Sequence, residues 1–95
     1  MPEMTFAIRW PDDTTEDCYS PSLVIRDHLA VGATYTLADF VVRCRTALTI
    51  ASDRVQAKYG FPCSRAQTQL QRIEARAARF ADAPDPAVHI IAFRE

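Results

Sequence analysis

The chain has 95 residues, 48% of them hydrophobic, and a formal net charge of −1. A chain of this length buries roughly 60–65% of its unfolded surface, which is enough for one core without staples. The charge gives no whole-molecule attraction to nucleic acid or membrane, and no run approaches the ~20 apolar residues of a membrane span.

The start, MPEMTF, has neither a basic region nor an apolar stretch, so no secretory signal is expected. The three cysteines, Cys18, Cys44 and Cys63, are odd in number and lack the C-x-x-C spacing of a zinc site. They are read as reduced thiols of a cytoplasmic protein.

In residues 4–10, Met4, Phe6, Ile8 and Trp10 alternate with Thr5, Ala7 and Arg9. Period two predicts a half-buried strand. The polar turn PDDTTED leads to a second strand over 15–19, returning antiparallel. Ser20 followed by Pro21 has the form of an N-cap with proline at the first helical position, predicting a short helix near 21–29. Its LVI run would equally extend a strand.

Residues 30–35 read as a connector. Thr36 and Asp39 have capping-pair spacing ahead of Leu37, Phe40, Val41, Cys44, Leu48, Ala51, Val55 and Tyr59, which share one helical face. The helix is expected over 37–59, ended by a left-handed Gly60 and by Pro62. Ser64 and Gln67 repeat the capping pattern. Ala66, Leu70, Ile73, Ala77 and Phe80 then predict a second, antiparallel helix over 65–81. After ADAPDP, AVHIIAF predicts a buried strand over 87–93 that inserts beside the first.

The expected architecture is a single α+β domain over 1–95. It is a two-layer fold with a three-stranded, mostly antiparallel sheet, made of the N-terminal hairpin plus the C-terminal strand. The sheet packs against two long antiparallel helices and one short helix.

Chemistry concentrates in two stretches. In DCYSPS, Cys18 near a helix start would have a lowered pKa. Tyr19, Ser20 and Ser22, with Arg26 one turn on, would hold a small anion. The structural alternative is a capping Ser20, an inward-packed Cys18 and Tyr19 covering the core rim. In the second stretch, Cys63 and Ser64 open the last helix, where Cys63 is either a thiolate or a small apolar filler. A metal site would need Cys18, Cys63 and His28 to converge, and no metal is expected. No cofactor motif is present: there is no Gly-rich phosphate loop, H-E-x-x-H or G-x-S-x-G, and no catalytic constellation.

Three further surfaces read as partner-binding. Arg65, Arg72, Arg76 and Arg79 line one flank of the last helix, suited to an acidic protein or to covering the core edge. Nucleic acid is not expected, because no aromatic residues interleave. Val42 and Ile50 lie on the back of the long helix, and Ala7, Ile91 and Phe93 on the outer face of the sheet. Both sets suggest a homodimer, with the sheet face favoured.

The pieces WPDDTTEDCYSPS, GATYTLADF, RTALTIASDRVQAKYGFPCS and QLQRIE, in that order, resemble a family of small bacterial nitrogen starvation response proteins. Genes of that family sit in nitrilase-containing clusters, beside a radical SAM protein, an acetyltransferase and a flavin-dependent oxidoreductase. The resemblance implies a cytoplasmic protein of nitrogen acquisition. It implies no activity and no catalytic residue. The function expected is a small accessory or binding protein working with a partner enzyme or metabolite. The alternative is a thiol-dependent enzyme or carrier using Cys18 or Cys63.

Overall fold

A computed structural model describes residues 2–95. Its elements are β1 (Met4–Arg9), β2 (Thr15–Ser20), a 3₁₀ helix (Leu23–Asp27), β3 (Thr34–Thr36), α1 (Leu37–Tyr59), α2 (Ser64–Ala78) and β4 (Ala87–Arg94). The strands form one antiparallel sheet in the order β2-β1-β4-β3.

This corrects the expected fold class in two respects. The sheet has four strands, not three, and the short helix is a five-residue 3₁₀ turn, not a helix over 21–29. The missed strand, TYT, has too few residues to show a period. It exists because Thr34, Tyr35 and Thr36 pair with His89, Val88 and Ala87, a contact between distant parts of the chain. The Thr34 hydroxyl also hydrogen-bonds Nδ1 of His89 at 2.9 Å, which accounts for a histidine inside an apolar strand.

The alternation in β1 points Met4, Phe6, Ile8 and Trp10 at the helices, where each is buried. They meet Phe40, Cys44 and Leu48 of α1, Ile73 and Ala77 of α2, and Val88 and Ile90 of β4. Trp10 stands edge-on to Phe40 with ring centroids 5.8 Å apart, and stacks on Phe80 at 5.9 Å. Its Nε1–H donates to Oε1 of Glu16 at 3.0 Å, so the indole is buried with its polar edge satisfied. β4 is an inner strand, as its apolar run suggested.

The outer sheet face departs from expectation. Opposite Ala7 and Ile8 the ladder slips: Ala7 faces Ala92 but Ile8 faces Ile90. The bulge leaves Ile91 as the extra residue and reverses the side that follows. Phe93 therefore pairs with Phe6 and packs against the core instead of facing outward. The outer face keeps Ala7, Ile91 and Ala92, crossed by an Arg94–Asp17 ion pair at 3.2 Å.

Thr36 caps α1 by accepting the Asp39 N–H at 3.2 Å. Gly60 ends it at φ 86°, with its N–H on the Gln56 carbonyl at 2.8 Å. α2 follows after a short turn and returns along α1, and it also lies against β2 at the sheet edge. That placement creates the candidate site.

Candidate functional site: the arginine side of α2 and the edge of β2

β2 is an edge strand, so half its backbone groups point away from the sheet. The Tyr19 N–H is one of these, and it donates to Oε1 of Gln69 on α2 at 2.9 Å. Gln69 is 8% exposed, and its Nε2 has no hydrogen-bond partner. At 100° per residue Gln69 falls between the apolar stripe of α2 and its arginine row. A polar residue on that boundary is the one signal by which the sequence marks it, and the sequence reading passed it over, as it did Thr68.

The arginines divide into two kinds. Arg65 lays its guanidinium over the Tyr19 ring, 3.9 Å from the centroid, with Nη1 3.9 Å from Oε2 of Glu3. Arg76 donates to the Thr14 hydroxyl at 2.7 Å, lies 3.9 Å from Asp12 and sits over Trp10 at 5.8 Å. The same Thr14 hydroxyl donates to Asp12 at 2.6 Å and, with the Thr14 N–H and Arg76, holds the Asp12 carboxyl below its ordinary pKa. Arg72 and Arg79 are exposed and have no ion pair among the described residues. Arg72 lies between two adjoining clefts. One, of about 280 Å³, is lined by Tyr19, Ser64, Arg65, Thr68, Gln69 and Arg72. The other, of about 270 Å³, is lined by Glu16, Arg72, Ala75, Arg76 and Arg79.

DCYSPS does not gather into one site. Cys18 points inward from β2 and is fully buried. Burial first, and the nearby Glu16 next, push its thiol well above the ordinary range, away from a thiolate. Ser20 is not the cap: its hydroxyl donates to the Ser22 carbonyl at 2.7 Å. Ser22 caps the 3₁₀ turn by accepting the Val24 N–H, and also accepts from Arg54 at 3.1 Å. Pro21 thus lies before the cap, not inside a helix. Arg26 is paired with Glu95. Only Tyr19 turns toward α2. Its hydroxyl donates to Oε2 of Glu3 at 3.0 Å, and its pKa is pushed up to about 12 by burial and by that bond.

At the other stretch, the cap of α2 is Cys63, not Ser64. Ser64 is the first helical residue, and the Cys63 side chain makes no capping bond. The Cys63 N–H donates to the Ser52 hydroxyl at 3.2 Å, tying the turn to α1. Cys63 is half-buried, whereas Cys44 is fully buried and its thiol is shifted up by desolvation. All three cysteines are unpaired. On the back of α1, Val42 is 55% exposed and Ile50 is half-buried.

Among the described residues, no three His, Cys, Asp or Glu side chains gather in metal-binding range. No helix there is long and apolar enough to cross a membrane.

No curated protein and no solved structure matches the chain. A family described as "Nitrogen starvation-induced protein NitG" matches residues 5–93, nearly the full length. That span takes in all four strands, both helices and the arginine side of α2, and the chain belongs to the family of nitrogen starvation-induced proteins NitG.

Proposed function

We propose that the protein is a non-catalytic accessory protein of the nitrogen-starvation response. In this reading it is cytoplasmic and engages an acidic surface of a partner enzyme, of the nitrilase-associated kind, through the arginine side of α2. One observation carries the reading: Arg72 and Arg79 stand exposed beside the edge of β2 without a carboxylate partner among the described residues. Glu16 lines the same cleft as both but pairs with neither, and exposed guanidinium groups that make no ion pair steer and orient an acidic surface. The membership in a nitrogen starvation-induced family supports the physiological setting.

The test is co-purification from nitrogen-limited cells, comparing the tagged native chain with Arg79→Glu. The native chain should retain a partner at low salt and release it as salt rises, and the charge reversal should abolish capture. Identical sets of captured proteins from both chains would remove the reading.

A second reading, the thiol-dependent enzyme or carrier, now rests on Cys63, which is half-buried at the N-terminus of α2. Its thiol reactivity against pH separates the two, because an apparent pKa of about 8.5 or above leaves no activated thiolate.

A further inference from the structure

We infer that the cleft between the start of α2 and the end of β2 binds a small dicarboxylate. The cleft is lined by Tyr19, Ser64, Arg65, Thr68, Gln69 and Arg72, and its volume is about 280 Å³. That is close to the lower end, ~300 Å³, of small-molecule sites, suited to a short-chain metabolite and too small for a nucleotide.

The lining is a set of donors. It holds two guanidinium groups, the Ser64 and Thr68 hydroxyls and the Gln69 carboxamide, with the Tyr19 hydroxyl turned to Glu3, and no carboxylate lines it. Carboxylates line the depressions on either side: Glu3, which accepts from the Tyr19 hydroxyl, and Glu95, which is paired with Arg26, on one side, and Glu16, which accepts from the Trp10 indole, on the other. The fold accounts for the oxygen of Gln69 but not for its nitrogen. Its oxygen is committed to the Tyr19 N–H, which fixes the amide orientation and leaves Nε2 buried without an acceptor. A buried donor without an acceptor is unfavourable, and a carboxylate oxygen brought into the cleft supplies one.

A second feature points the same way. Cys63 offers no side-chain cap to α2, so the first-turn N–H groups of a 15-residue helix lack a side-chain acceptor at the end where Ser64 meets the cleft.

The class of anion follows from the spacing. Arg65 stacks on Tyr19 through its face, and its Nη1 lies 3.9 Å from Oε2 of Glu3, beyond hydrogen-bond length, so its in-plane N–H fork is only loosely paired and is open to a second carboxylate. Arg72 lies two turns further on, about 10 Å along the axis. Thr68 and Gln69 fall between them. One carboxylate or one phosphate occupies a single fork. A diacid of roughly four or five carbons, with a hydrogen bond at each end, spans both.

The cleft shares Arg72 with the proposed partner-docking surface, but Arg79 does not line it, so Arg79 variants probe the docking surface alone. Calorimetric titration of the full chain with succinate, glutarate, acetate and inorganic phosphate tests the inference. A diacid should bind at least tenfold tighter than acetate or phosphate. Arg65→Gln and Arg72→Gln should each weaken it at least tenfold. Gln69→Glu keeps the acceptor for the Tyr19 N–H but places an anion in the cleft, and should abolish binding while the Trp10 fluorescence stays native. Arg79→Gln should leave binding unchanged. Absence of saturable diacid binding overturns the inference, as does phosphate binding more tightly, or equal weak binding of every anion that Arg72→Gln does not alter. The co-purification comparison with Arg79→Glu is independent of all these outcomes.

Discussion

The turn that sets α2 beside β2 depends on one backbone conformation, and Gly60→Ala tests it. Gly60 has φ 86° and ψ 0°, and its N–H closes the last turn of α1 on the Gln56 carbonyl at 2.8 Å. Beyond its two chain neighbours, a Cβ at this position would meet no heavy atom within 4 Å. Neither a clash nor a new contact therefore contributes, and the change is read through the backbone alone. The left-handed region costs a non-glycine residue about 1–2 kcal/mol. In a chain of this size 1 kcal/mol corresponds to about 4–8 °C in Tm, so the expected fall is about 4–16 °C. Gly60→Asn should lose less, since asparagine tolerates this region better. Thermal unfolding followed by circular dichroism reads both. A Gly60→Ala protein within about 1 °C of the native Tm would show that the chain leaves α1 by another route, and the position of α2 derived from that turn would fall with it.

Cys44 has no exposed surface and sits among apolar residues, so Cys44→Asp should destabilise by about 3 kcal/mol or more in denaturant unfolding; an unchanged midpoint would refute that placement. In the native protein a bulky thiol reagent should modify Cys63 and reach Cys18 and Cys44 only after unfolding, and mass-spectrometric detection of native-state Cys18 labelling would contradict the inward orientation of β2. Tyr19 should ionise late: its phenol, held up to about 12 by burial and by the bond to Glu3, gives stability that is complete below the unfolded value of about 10 and lost as pH rises through the folded one. The phenolate absorbance of the native chain minus that of Tyr19→Phe should titrate near that raised value, and a midpoint near 10 would be the contrary result. The protein is further expected to be a dimer in sedimentation at micromolar concentration. Dissociation by Ile91→Lys would place the interface on the sheet and dissociation by Ile50→Lys on the back of α1, whereas a native monomer would end the proposal.

What the sequence determined by itself is what local periodicity encodes. The alternation of Met4, Phe6, Ile8 and Trp10 states both a strand and its buried side, because side chains alternate faces whatever the partner strand is. The Thr36 cap and the Gly60 stop define the ends of α1, since each acts within a turn of its neighbours, and the stripe from Leu37 to Ala51 lies on the core, although Tyr59 at the end of the expected stripe is exposed. The family, too, was legible from short stretches in order. Tertiary structure decided everything that depends on pairing across the chain. TYT is a strand only because β4 lies beside it, and Phe93 faces the core only because one residue is squeezed out of register against Ala7. The arginine row reads as four equal charges in sequence. Tyr19, Glu3, Thr14 and Asp12 hold Arg65 and Arg76, leaving Arg72 and Arg79 without carboxylate partners. Gln69 acquires its meaning from a strand-edge N–H fifty positions away in the chain. A contact of that separation leaves no periodic trace, because it is set by where α2 comes to rest against β2 and not by the residues on either side of it.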